Sequence, residues 1–489
     1  MRILTVNTHF APLTFGGATV VVEGTAQALA ERGHEVIVLT SLPESLLGYG
    51  QLQRYEAKGL PVVAVGRRTA RTADDEYHQP QIAARIEQVV AAVRPDIVHF
   101  HAVQGLGVEM VRGTVAAGIP TVVTAHDAWW LCERQFMVRP TLEWCGQDTI
   151  DPTVCSTCVV HPGEHRLRQA ESLAILNACQ RVLAPSDYWR GLLQRSGVSE
   201  HILEVNPNGV THPRADFSHP ARSGAPVFGY VGGADPVKGS RQLRAALQAL
   251  GDLDYSVLLA DAGQALAMPG IRPEEWPFPQ CRIIPAYTAN TIDDFFAGID
   301  VLLFPSQTRE SYGLTVREAL LRGVWVVASA GGGTAEVLVD GMNSTVLPMD
   351  GGAQPLTDAM RAIISRPDDY RNRVLRPPVI PDHREQAEAL ERIYRDVVLG
   401  APAATVPMAR RPWITRGLEQ QAGVLAQEGV GGEEPGLQRV PVVDEIRASC
   451  PVLCSRNWSK NTASPSWNTG ETIGWSPRSC STTAGETSQ

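Results

Sequence analysis

Short apolar segments of strand length recur along residues 1–400, each separated from the next by a stretch of helical spacing. This alternation constrains the fold more than any other feature. Residues 2–7 read as a first strand, 20–32 as a helix ending at Gly33, and 35–40 as a second strand. Ile97–Phe100, Thr121–Thr124 and Arg181–Ala184 continue the series. Short apolar strands between amphipathic helices imply a parallel sheet covered by helices on both faces.

The series breaks once, at SHPARSGAP (residues 218–226), whose Pro, Gly and Ser content reads as a linker. It then resumes with strands at 227–231, 255–260, 301–304 and 324–328 and a helix at 241–250. The expected organisation is α/β, with one doubly wound domain at 1–217 and a second at 227–383. A closing helix follows at 384–400. At 489 residues the chain is too long for one core. Two such sheets in tandem would face each other across a cleft lined by loops at the strand C-terminal ends. Residues 401–489 are rich in Gly, Ser, Thr, Pro and Trp without periodicity, and are expected to be a low-complexity, disordered tail.

The net charge of -9 argues against nucleic acid as a partner, but leaves room for a local basic patch at the surface of a membrane. No window reaches the roughly 18 apolar residues of a membrane span. The first apolar run is broken at Asn7, Thr8 and His9, unlike a signal peptide. A cytoplasmic protein is expected, with peripheral contact at the inner face of the cell membrane open to it.

The richest stretch is FPSQTRESYGLTVREALLRGVWVVAS, residues 304–329. A strand ends at Phe304, a polar loop carries Glu310, and a helix starting near Gly313 carries Glu318. The amides of Gly313, Leu314 and Thr315 stand at the helix amino end, where unpaired N–H groups and the helix dipole favour a diphosphate. Three other segments share the pattern of a strand running into a loop with a special residue. Gly16 and Gly17 follow the first strand, His126 follows TVVT, and Lys238 lies in GYVGGADPVKGS. GxGxxG, the dinucleotide fingerprint, is missing after the first strand.

The 304–329 stretch, with Glu336 in the following SAGGGTAEVLVDG, resembles the signature of glycosyltransferase family four (group 1), and the resemblance extends over most of residues 1–400. It is similar to exopolysaccharide-type members. The resemblance implies a GT-B fold, two Rossmann-like domains facing a central cleft. It also implies transfer from a UDP- or GDP-sugar to a glycan or lipid-linked acceptor with retention of anomeric configuration. On that basis Glu310 binds donor-sugar hydroxyls, Glu318 the ribose, and Lys238 the diphosphate. His126 contacts the transferred sugar, and Gly16 and Gly17 approach the donor phosphate or the acceptor. Gly233 stands where the family usually has an arginine. The leaving phosphate can take the acceptor proton, so no metal cofactor is required. Rival readings are a nucleotide-sugar epimerase on the same fold and a GT-B binding subunit without catalysis.

Cys132, Cys145, Cys155 and Cys158 end in a tight CxxC. Four thiolates in a loop-rich segment (132–161) fit a structural zinc site, with His161 able to replace one ligand.

Overall fold

The computed structural model describes residues 1–68, 72–262, 270–371 and 378–400. The tail expected to be disordered lies outside them. The amino-terminal sheet contains β1 (Arg2–Val6), β2 (Glu35–Pro43), β3 (Leu52–Ala57), β4 (Leu60–Arg67), β5 (Ile97–Phe100), β6 (Thr121–Thr124), β7 (Arg181–Ala184) and β8 (Leu203–Val205), in the order β3-β4-β2-β1-β5-β6-β7-β8. The second sheet contains β9 (Val227–Tyr230), β10 (Ser256–Asp261), β11 (Cys281–Pro285), β12 (Val301–Phe304), β13 (Trp325–Ser329) and β14 (Ser344–Leu347), in the order β11-β10-β9-β12-β13-β14.

Both sheets are apolar on two faces because helices cover both. In β2, Val36 and Val38 pack into one cluster while Ile37 and Leu39 pack into another on the opposite side. The helix Ser240–Leu250 covers the second sheet with Leu243, Ala246, Leu247 and Leu250, an i, i+3, i+4, i+7 spacing that keeps them on one face. Each fully buried Leu or Val of this kind stabilises by about 1.5–3 kcal/mol.

One feature departs from the sequence expectation. The amino-terminal sheet is not purely parallel: β3 runs antiparallel to β4 at its edge. The two strands are joined by Lys58 and Gly59, both at positive φ (56° and 71°), as a two-residue primed turn requires. The closing helix, His383–Gly400, which the sequence assigns to neither domain, packs on the first. Its Leu390, Ile393, Tyr394 and Val397 pack against Val22, Ala26 and Leu29 of the helix Gly16–Glu31 and against the amino-terminal sheet. Thr25 Oγ1 donates to Gln386 Oε1 at 2.8 Å, and Arg32 pairs with Glu391 at 2.5 Å. An amphipathic helix packs where an uncovered apolar face exists, and here that face is on the other domain.

The segment 218–226 carries no helix or strand. His219 Nε2 bonds the Arg322 carbonyl at 2.5 Å, and Arg222 lies 3.5 Å from Asp300. Among the described residues no helix is long and apolar enough to cross a membrane.

Candidate active site

Strand order decides where these sheets can hold a ligand. In the second sheet the chain runs outward from β9 through β10 to β11, then returns to the other side of β9 as β12. The loops after β9 and β12 therefore part at a switch point, leaving a crevice at the strand C-terminal ends. Lys238 lies in the single turn Pro236–Lys238 after β9, and Glu310 in the loop after β12. Lys238 Nζ stands 2.8 Å from Glu310 Oε1. Ser306 Oγ donates to the same oxygen at 2.8 Å. Burial disfavours the Lys238 charge, but the Glu310 carboxylate outweighs it and lifts the ammonium above the ordinary lysine range.

The helix Leu314–Leu321 starts at Gly313, which is left-handed at φ 79°. A Cβ at Gly313 would fall 2.2 Å from Thr334 Cγ2, so the turn that aims the first amides into the crevice needs glycine. Glu318 lies buried within this helix and accepts a bond from the Tyr287 hydroxyl at 2.6 Å. Burial raises its pKa, with that bond and Arg322 opposing.

The amino-terminal sheet has its own switch point between β1 and β5. Gly16 and Gly17, expected in a loop, instead open the helix Gly16–Glu31 behind an extended Phe15. First-turn amides have no partner inside the helix, so glycine is tolerated there. A Cβ on Gly17 would lie 3.0 Å from Leu314 Cδ1, so residues read separately as donor-contacting meet across the cleft. Gly16 faces open space.

His126 follows β6 and belongs to a chain of histidines. His101 Nδ1 lies 2.9 Å from His126 Nε2, and the His99 and His101 rings are 3.9 Å apart. His99 bonds Thr124 Oγ1 at 2.7 Å and Tyr394 Oη at 2.6 Å. Burial lowers His126 to about 4; burial and the neighbouring His126 lower His99 to about 3. His101 is held well below the ordinary range by burial and both neighbours. All three are neutral at pH 7, so of the facing His101 and His126 nitrogens one donates and the other accepts.

The two domains touch directly around this line. Ser311 Oγ donates to the His126 carbonyl at 2.6 Å, and Ser186 Oγ to the Ser311 carbonyl at 2.7 Å. Thr308 Oγ1 donates to the Phe136 carbonyl at 2.5 Å. The Arg309 guanidinium lies 3.7 Å from the Trp144 ring centroid and 2.5 Å from Asp148. Glu336, part of the quoted signature, accepts from the Tyr188 amide at 2.7 Å. The structure thus places Lys238 with Glu310, Glu318 with Tyr287, Gly17 with Leu314, and His126 against the loop that carries Glu310. Cys132, Cys145, Cys155 and Cys158 border a separate cavity. His99, His101 and Ser311 were not singled out from sequence. The period-two HFH after an apolar strand start is the signal that could have marked the two histidines.

Residues 15–214 match the family Glycosyltransferase Family 4, and residues 212–375 match Glycosyl transferases group 1. Among curated proteins no sequence matches. Several solved structures share the fold. Sucrose-phosphate synthase from Thermosynechococcus elongatus is 16% identical with a TM-score of 0.56, covering 87% of this chain and 98% of that one. Trehalose 6-phosphate synthase from Burkholderia multivorans is 14% identical with a TM-score of 0.57, covering 82% and 100%. Anabaena HepE, solved with UDP-glucose, is 17% identical with a TM-score of 0.51, covering 87% and 100%. The chain has the GT-B fold, with a Glycosyltransferase Family 4 match over residues 15–214 running directly into a Glycosyl transferases group 1 match over residues 212–375, so residues 15–375 carry glycosyltransferase domains.

Proposed function

We propose that this chain transfers a sugar from a nucleotide-sugar donor, a UDP- or GDP-sugar, to a hydroxyl of a glycan or lipid-linked acceptor, with retention of anomeric configuration, in cell-surface polysaccharide synthesis. The observation that carries the reading is the Lys238–Glu310 pair at the switch point of the second sheet, with Glu318 and Tyr287 beside it. The UDP-glucose bound to Anabaena HepE supports the donor class.

In this reading the diphosphate lies against Lys238 and the amides of Gly313, Leu314 and Thr315, where a cation and a helix amino end stabilise the leaving charge. Glu310, its Oε1 already held by Lys238 and Ser306, turns its other oxygen to donor-sugar hydroxyls. Glu318 takes the ribose from its bond with Tyr287. As the anomeric C–O bond to phosphate breaks, the acceptor hydroxyl enters from the same face and its proton passes to the leaving phosphate oxygen. Neutral His126 supports the transferred sugar through a hydrogen bond rather than as a cation. No step needs a divalent metal. The protein works in the cytoplasm, at or near the inner face of the membrane.

The test is a thermal-shift panel with UDP, GDP, ADP and their sugar conjugates, followed by product NMR. A ligand at a hundredfold excess over its Kd stabilises by about 2.7 kcal/mol. A shift with one base, then acceptor-dependent nucleotide release and a retained anomeric coupling, is the expected result. Release without acceptor dependence would favour an epimerase, and absence of any shift a binding subunit.

A further inference from the structure

The loop 132–161 carries four cysteines that the transfer chemistry does not use. None is in a disulfide; Cys132, Cys145 and Cys155 are buried and Cys158 is half-buried. All four line one cavity of about 10 Å³, room for one water-sized occupant and too small for an iron–sulfur cluster. Gln147 Nε2 lies 3.8 Å from Cys145 Sγ and 3.6 Å from Cys155 Sγ, so these two sulfurs face one group.

Two independent observations point to an occupant. His165 lines the same cavity, its side chain is 0% exposed, and neither ring nitrogen has a hydrogen-bond partner. Nδ1 has the Glu133 carboxylate 3.5 Å away, but buried polar nitrogens are normally satisfied, so an unpartnered Nε2 beside four sulfurs needs an explanation. The expected spare ligand, His161, is exposed and does not line the cavity; His165, one helical turn further on, takes its place. The second observation is backbone strain. Of the five non-glycine residues at positive φ among those described, Gln135, Met137 and Leu142 lie in this loop, at 61°, 54° and 71°. Left-handed backbone at such residues persists only where something over-determines it.

We propose that Cys132, Cys145, Cys155 and Cys158 bind one zinc ion as four thiolates, with His165 donating a ring N–H to a zinc-bound sulfur and its Nδ1 side facing Glu133, 3.5 Å away. Tetrahedral thiolate sites of this size are the usual structural zinc centres, and a ligand shell bonded outward to histidine and carboxylate is their usual support. Among the described residues no three His, Cys, Asp or Glu donors already surround one point. The ion therefore gathers its ligands as it binds, releasing four protons. The loop it ties together carries Phe136, Trp144 and Asp148, which touch Thr308 and Arg309 across the cleft. Zinc fixes the part of the first domain that closes on the donor-side loop.

The experiment is metal analysis of the full chain purified under reducing conditions without chelator, followed by titration of the metal-free protein with Co²⁺. One zinc per chain, a sulfur-to-cobalt charge-transfer band on Co²⁺ binding, and release of one zinc on thiol modification are expected. Cys158→Ser, at the half-buried position where folding is least at risk, should weaken Co²⁺ binding at least tenfold. A metal-free protein that gives no Co²⁺–thiolate band overturns the proposal, as does bound iron with sulfide. Nucleotide thermal shifts of the same samples report the donor site separately.

Discussion

Lys238 and Glu310 lie 72 residues apart in sequence, yet their side chains meet at 2.8 Å because β9 and β12 are hydrogen-bonded neighbours. The pair is a consequence of strand order, and it sets the charge of the crevice.

If Lys238 stabilises the leaving diphosphate, Lys238→Met should lower kcat by about 10²–10³, the usual cost of removing one such group. Glu310→Gln should lower kcat/KM while leaving nucleotide affinity nearly intact, since its assigned contact is to the sugar. Steady-state kinetics of nucleotide release check both, and the double variant should lose less than the sum because the two groups touch.

Glu318→Ala should abolish the nucleotide thermal shift and turnover together. Tyr287→Phe removes only the hydroxyl that holds Glu318 and should weaken nucleotide binding by roughly tenfold, the value of about 1.4 kcal/mol for one bond to a charged group. Calorimetric titration with the nucleotide identified by the panel reads this. Unchanged affinity in both variants would remove Glu318 from the nucleotide site.

The His99–Tyr394 bond fastens the closing helix to the first domain. Tyr394→Phe should destabilise by about 1–3 kcal/mol, because it leaves a buried imidazole nitrogen unpaired. Urea unfolding at pH 7 measures it.

His99 has its folded-state pKa depressed to about 3 from an ordinary 6.5. The unfolded chain thus binds more protons between those values, so stability rises with pH across that window. Its contribution is complete above about 6.5 and is lost as pH falls toward 3, by roughly 1.4 kcal/mol per pH unit. His126, lowered to about 4, has the same sign. A pH–rate profile should accordingly show no histidine inflection near 6.5. An inflection there that disappears in His126→Asn would show that the imidazole titrates in the working enzyme.

Arg309 joins the domains through the Trp144 ring and Asp148. Arg309→Ala should raise the donor KM several-fold with a smaller change in kcat, and small-angle scattering should show a more open particle. No change in either would place domain closure elsewhere.

Local periodicity settled much of this protein. A strand's four buried residues and a helix's i, i+3, i+4, i+7 spacing are written within a few positions of one another. The two doubly wound sheets, the break near 218–226, and the Glu310-to-Glu318 loop and helix were therefore legible. The β3–β4 hairpin was not, because it rests on Lys58 and Gly59 taking positive φ between strands without clear alternation. The helix His383–Gly400 was legible as a helix, but not the domain it covers. His101 against His126, His99 against Tyr394 and Ser311 against the His126 carbonyl were decided only by the tertiary structure. Such pairs lie up to 295 residues apart, and sequence spacing cannot specify which buried polar atoms will meet once apolar faces have packed.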